Sequence, residues 1–343
     1  MNLMAKLRAA SVTDLIGLAL VALLVVWLAI NFVKAPTEFI NISLIGLTNG
    51  TIYGLVALGY TLVYGILQLI NFAHGDVFAL SGLVAFTVIV SVLNIDTDSS
   101  LLVIIGGLLV TLVVIMTMFS IFNASIERIA YKPLRSAPRL APLITAVGMS
   151  FIVQNIGLAL YGVDYKSVPN FIPKTSGLHI GGIFYSWSKA SVLIIVIPLL
   201  LILTWFVRST KQGKAMRAVA QDTEASAMMG IDVNRTISVT FLLAGSLAGA
   251  AGIVYLLQFN MRYDTGFELG LIAFTAAVLG GIGNLTGAVL GALLIGFIQA
   301  FNEGLGWHAP GSDWTRTMVF GILILILVFR PEGILGEQTP EGA

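Results

Sequence analysis

Long apolar runs separated by short polar breaks dominate the chain. The runs are Leu15–Val33, Phe39–Leu69, Val77–Leu93, Leu101–Phe122, Pro142–Tyr161, Ala190–Val207, Ile237–Gln258, Leu269–Gly283, Leu285–Ala300 and Thr317–Phe329. Crossing about 30 Å of hydrocarbon takes about 20 helical residues, and only closed hydrogen-bonding patterns survive there. The pattern therefore predicts an all-α polytopic membrane protein. Several runs are short or interrupted by Gly and Asn, so about eight to ten full or half-membrane helices are expected.

Composition narrows the chemistry. The 343 residues are 57% apolar and 10% charged, against about 25% charged in soluble domains. With no cysteine and three scattered histidines, disulfides, thiol catalysis and Cys-ligated metals are excluded and no metal site is expected. No Gly-x4-Gly-Lys-Ser/Thr frame occurs, and Gly213-Lys214-Ala215 lacks it, so ATP binding by a P-loop is not expected. No clustered acids, histidines or nucleophile–base pairs suggest an enzyme.

Charge placement predicts orientation. Lys6 and Arg8 precede the first run, which is longer than a signal-peptide core and lacks a small-x-small cleavage site, so it is read as a retained helix. Taking alternate gaps as cytoplasmic collects Lys6, Arg8, Arg128, Lys132, Arg135, Arg139, Arg208, Lys211, Lys214, Arg217, Arg235 and Arg330. The other gaps hold Lys34, Lys166, Lys174, Lys189, Arg262 and Arg316. The bias puts both termini in the cytoplasm. These basic loops lack interleaved aromatics, so nucleic acid is not an expected partner.

The most polar stretch, within 208–236, lies on that cytoplasmic side. Asp222 is a suitable N-cap and Glu224 complements the helix dipole. Thr223 to Met229 is a two-turn helix candidate, and Gly230 followed by Ile231 suits a Schellman ending. So short a helix is unstable alone. Its Ala225, Ser226, Ala227, Met228 and Met229 suit a partner's groove better than a lipid surface, for which it is short and weakly apolar.

"EASAMMG", Glu224 to Gly230, resembles the EAA loop of ABC-importer permeases, with Ser226 at the third position and no proline in the downstream Thr240–Leu243. "TIYGLVALGYTLVYGILQLINFAHGDVFALSG", Thr51 to Gly82, is similar to the hallmark of branched-chain amino-acid ABC permeases of the LivH type. "AAVLGGIGNLTGAVLGALLIG", Ala276 to Gly296, and "FRPEGILG", Phe329 to Gly336, resemble later segments of that family. The resemblance implies one transmembrane permease domain over 1–343 in the bacterial inner membrane, importing leucine, isoleucine or valine. Urea and short-amide permeases share the hallmarks and are the alternative. It further implies a homologous LivM-like permease, two ATPase subunits that use ATP and magnesium, and a periplasmic binding protein. This chain would hold no cofactor. Asp222, Glu224, Ala225, Ser226, Met228 and Gly230 would couple it to the ATPase.

Two stretches bear on the translocation path. Gly283, Gly287 and Gly291 recur at helical spacing, as do Gly245 and Gly249 with Gly252 beyond, and small residues so spaced let helices approach. "GGIGNLTG", Gly280 to Gly287, would break a span midway and expose backbone, making Gly281, Gly283 and Asn284 path candidates. "NFAHGD" contributes Asn71, His74, Gly75 and Asp76. His74 and Asp76 read either as a proton relay, which would make this a self-sufficient secondary transporter, or as structure. In the structural reading, which is preferred, Asp76 is an N-cap at the cytoplasmic interface. A zwitterion would then find no intramembrane counter-ion, which suits a pore that holds its cargo weakly; the resemblance implies a binding protein that supplies the affinity and docks on outer loops, here including Gly162–Lys189 and Phe259–Glu268. Tyr165, Tyr185 and Trp187 fit an interfacial aromatic belt.

Overall fold

The computed structural model describes residues 12–135, 137–138, 140–173, 175–330 and 332–336. Lys6, Arg8, Arg139 and Lys174, used above for orientation, lie outside the described residues. The first half runs α1 (Val12–Lys34), α2 (Pro36–Leu67), α3 (Ala73–Phe86), α4 (Leu101–Ile126) and α5 (Leu140–Tyr161). A hairpin of β1 (Gly177–Ile180) and β2 (Ile183–Ser186) leads to α6 (Trp187–Ser209), α7 (Lys211–Gln221) and α8 (Thr223–Met228). The chain continues as α9 (Val233–Leu256), α10 (Thr265–Gly280), α11 (Leu285–Gly304) and α12 (Thr315–Phe329). Every apolar run read from the sequence is a helix, and eight helices among the described residues are long and apolar enough to cross a membrane. The β-hairpin and α7 were not anticipated.

Helix α2 is the hub. Pro36 opens it, where its missing N–H costs nothing, and Gln68 ends it in the left-handed region at φ 51°. Its 32 residues reach about 48 Å at about 1.5 Å per residue, and most are buried against α9, α10 and α11. Gly46 and Gly50 on α2 meet Gly296 on α11, so closely that a Cβ on Gly50 would stand 2.7 Å from Leu293 Cα. On α9, a Cβ on Gly249 would meet the Ile115 carbonyl of α4 at 3.0 Å, and one on Gly252 the Phe78 carbonyl of α3 at 2.7 Å. These glycines therefore serve as backbone-to-backbone contact points. By contrast α4, α6 and α12 keep broad apolar faces exposed, including Leu102, Leu201 and Val328, as lipid-facing helices do.

The two ends of the bundle differ. At one end the segments Gly162–Lys189 and Phe259–Glu268 join: Lys166 and Met261 exchange backbone hydrogen bonds of 2.8 and 2.9 Å. There the Gln258 amide donates to the Ser188 carbonyl at 2.7 Å, and the Arg262 guanidinium lies 4.9 Å from the Tyr165 ring centre. Of the expected aromatic trio, Tyr165 and Trp187 are exposed. Tyr185 instead shares a 2.9 Å hydrogen bond with Thr48; burial pushes its phenol pKa up, and that bond opposes the shift. The other end carries α7, α8, the end of α4, the α10–α11 turn and residues 332–336.

Candidate functional site

Thr210 starts α7 by accepting from Gly213 N–H at 3.0 Å. This helix buries Gly213, Met216 and Val219 on one face and so braces α8. Asp222 then caps α8, its Oδ1 accepting from the Ala225 N–H at 2.8 Å. The helix stops as the sequence predicts. Gly230 sits at φ 82°, its N–H donates to the Ala227 carbonyl at 3.0 Å, and Ile231 N–H donates to the Ser226 carbonyl at 3.1 Å, the paired bonds of a Schellman ending. Ser226 faces inward. Glu224 and Gly230 face solvent and Ala225 is half-buried, while Met228 and Met229 stand 81% and 84% exposed.

Asn71, His74, Gly75 and Asp76 converge in the interior. The link 68–72 climbs beside α2 before α3 begins, so that the His74 ring packs on bare Gly59, two helical turns before the end of α2. That places the start of α3 about 12 Å inside the bundle at about 1.5 Å per residue. Gly75 N–H donates to Tyr60 Oη at 3.2 Å, and a Cβ on Gly75 would come within 2.9 Å of Gly270 Cα on α10. A narrow crevice lined by Tyr60, Tyr64, Ile70, Phe274, Ala277 and Ile282 runs beside this junction.

The capping role expected of Asp76 is corrected by its surroundings. The residue before α3, Phe72, offers no side-chain cap, and Asp76 is 1% exposed. Its Oδ2 accepts from Ser150 Oγ and its Oδ1 from Gln154 Nε2 at 3.0 Å, both on α5. The i, i+4 spacing of Ser150 and Gln154 puts both donors on one face, a signal available in the sequence. The interior thus holds a carboxylate after all.

The glycine-rich segment is corrected too. It does not break a span midway; it is the turn of an antiparallel α10–α11 hairpin. Gly281 and Gly283 take φ 103° and 93°, and Asn284 caps α11 by accepting from Gly287 N–H at 3.0 Å. Residues 332–336 close over the turn: Ile334 and Leu335 N–H donate to the Leu279 and Gly280 carbonyls at 2.9 and 3.0 Å. Asn284 Nδ2 donates to the Leu335 carbonyl at 2.8 Å. Gly287 and Gly291 pack on α10 as expected, whereas a Cβ on Gly283 would meet nothing, and the Gly283 Cα lies 3.6 Å from where a Cβ on Gly65 of α2 would stand.

Sequence reading missed a second buried acid. Glu127, 1% exposed, lies in a π-helical turn, Glu127–Tyr131, that ends α4. It pairs with Arg135 and accepts from Ser238 of α9 at 2.8 Å. Burial draws the Arg135 guanidinium below its ordinary pKa, and the Glu127 charge and hydrogen bond oppose that shift.

The chain thus combines a central core of glycine-jointed helices, one capped helix at an end, and a buried polar junction. A family model described as the permease component of a branched-chain amino acid transport system matches residues 42–328. The chain belongs to this permease family. BraD of Pseudomonas aeruginosa, a high-affinity branched-chain amino acid transport system permease protein, is 38% identical over 300 residues, covering 86% of this chain and 95% of its own. LivH of Salmonella typhimurium and of Escherichia coli (strain K12), with the same description, are 36% and 35% identical over 304 residues, covering 86% of this chain and 95% of theirs. Membership makes the chain a multi-pass membrane permease subunit of an ABC import system. Permease subunits of such systems work with partner subunits, and α8 presents Met228 and Met229 to solvent.

Proposed function

We propose that this permease carries branched-chain amino acids across the bacterial inner membrane, driven by a separate pair of ATPase subunits that grip α8. The observation that carries the coupling is the pair Met228 and Met229, held in solvent by a helix capped at both ends. Exposed methionines adapt to an apolar groove, and a two-turn helix needs a partner or a rigid mount to persist; α7 supplies the mount. The substrate follows from the names of the relatives, and the end bearing α8 is cytoplasmic by its excess of Lys and Arg. The joined segments at the opposite end suit a binding protein.

A second, homologous permease completes the path. Supporting it, Asn155 lies exposed on α5 in an open groove with Phe151, Ile152, Ile156 and Ala159, and a polar side chain facing lipid is costly. Movement of α8 would open or close the crevice beside Asn71–Asp76. Gly281, Gly283 and Asn284 take a structural part in this scheme, as the sealed turn before α11, whose Thr286 accepts from Arg208 at the end of α6 at 3.1 Å.

The buried Asp76 favours one rival, a proton-coupled transporter acting alone. Reconstitution with copurifying subunits separates the two: labelled leucine uptake is expected only with ATP on the α8 side, and Glu224→Arg should abolish it without loss of insertion. Uptake by the isolated chain, indifferent to ATP but lost in Asp76→Asn, would overturn the proposal. ATP-driven urea uptake without leucine uptake would keep the mechanism and change the cargo.

A further inference from the structure

The end of α4 connects two places that the proposed mechanism must link. On one side is the α8–α9 junction. Asp232 caps α9, its Oδ1 accepting from Arg235 N–H at 2.9 Å, and the first turns of α9 present Asn234 and Ser238 to the end of α4. Arg135 donates to Asn234 Oδ1 at 2.5 Å and pairs with Glu127, which also accepts from Ser238 at 2.8 Å. The guanidinium and the carboxylate thus hold one face of the start of α9, through Asn234 and Ser238 four residues apart. On the other side, Tyr131 Oη donates to Asn71 Oδ1 at 2.8 Å, inside the link that sets the start of α3. The Tyr131 ring also leans on Phe241 of α9, with ring centres 5.5 Å apart.

The segment joining these contacts is a π-helical turn, a wider and less stable winding than the α-helix it extends and one that recurs at functional sites. Two buried groups in the chain of contacts lack a partner among the described residues, Asn71 Nδ2 and Arg135 Nε. An unmet buried donor is costly, so a rearrangement that pairs either one gains a bond that this arrangement lacks. Transmission between sites requires an element with two arrangements, since adjacency alone does not suffice, and an irregular turn with unmet donors is where a second arrangement would gain bonds.

We propose that Glu127, Arg135 and Tyr131 form a positioning relay that carries movement of the α8–α9 junction to the Asn71 link and so to the buried end of α3. This rests on the reading that α8 receives the stroke of an ATPase. Tyr131 is the residue to test, because Tyr131→Phe removes the Asn71 hydrogen bond while keeping the ring on Phe241.

The test uses the whole complex in proteoliposomes and reads ATP hydrolysed per leucine taken up. The relay predicts that Tyr131→Phe leaves assembly and stimulated hydrolysis within about twofold of the parent while uptake per ATP falls about tenfold or more. A second readout exploits the absence of native cysteine: in a Leu69→Cys background, alkylation of the link should change rate several-fold between nucleotide-free and ATP–vanadate states. Tyr131→Phe should abolish that response. Unchanged coupling together with a retained nucleotide response would overturn the relay and leave the docking of α8 intact. Loss of hydrolysis and uptake in equal proportion, with the response retained, would also overturn it. A parent complex without ATP-coupled uptake would overturn the docking of α8 and the relay with it.

Discussion

The Ser150 hydroxyl of α5 donates to the Asp76 carboxylate of α3 inside the helical bundle, joined by the Gln154 amide one turn further along α5. Two neutral donors, with no Lys or Arg in hydrogen-bond contact among the described residues, hold this acid where lipid-buried charge is normally avoided.

Removing Asp76 should therefore cost more than replacing it by its amide. Asp76→Ala strands two buried donors, each costing about 1–3 kcal/mol, and should lower the melting temperature of the purified protein clearly. Asp76→Asn keeps an acceptor and should lose less than half as much. Equal melting points for the two variants would refute the role given to these bonds.

Glycines at helix crossings should be sensitive and those facing open space should not. A Cβ on Gly50 would stand 2.7 Å from Leu293 Cα, and such overpacking costs about 1–3 kcal/mol. A Cβ on Gly106 of α4 would meet nothing within 4 Å, and its replacement by Ala should stabilise by up to about 1 kcal/mol. Thermal unfolding in detergent of Gly50→Ala and Gly106→Ala should move in opposite directions.

Helix α8, proposed above to dock the ATPase, should depend on both of its caps. Asp222→Ala removes an N-cap worth about 1 kcal/mol, and Gly230→Ala forces a Cβ into φ 82° at about 1–2 kcal/mol. Both should raise amide exchange in 222–231 and weaken copurification of the ATPase, with the core unaffected. Gly230→Asn, tolerated in the left-handed region, should be the milder change. Met228→Asp, which leaves the caps alone, should weaken copurification without raising exchange.

The 332–336 segment should depend on Asn284. Its side chain both caps α11 and holds the Leu335 carbonyl. Asn284→Ala should speed amide exchange at Ile334 and Leu335 by several-fold, whereas Asn284→Asp keeps the cap but loses the donor. Unchanged exchange in both would show that the backbone bonds to Leu279 and Gly280 suffice.

Much of this protein is legible along the chain. The apolar runs name every spanning helix, because in hydrocarbon a backbone must satisfy its own hydrogen bonds and helix length is set by the bilayer. The α8 caps were equally legible: Asp222, Gly230 and Ile231 act through bonds reaching only a few residues. What the chain could not reveal is what lies beside what. Asp76 follows a short polar link before an apolar run, the local pattern of a surface cap, yet it is buried because the link climbs α2 and brings it to Ser150, 74 residues away. Glu127 similarly finds Ser238 across 111 residues, and Gly281 becomes a sealed turn only because residues 334 and 335 return to cover it. Periodicity and capping are local and survive in sequence. The pairing of buried polar groups depends on how helices cross, and tertiary packing alone decides that.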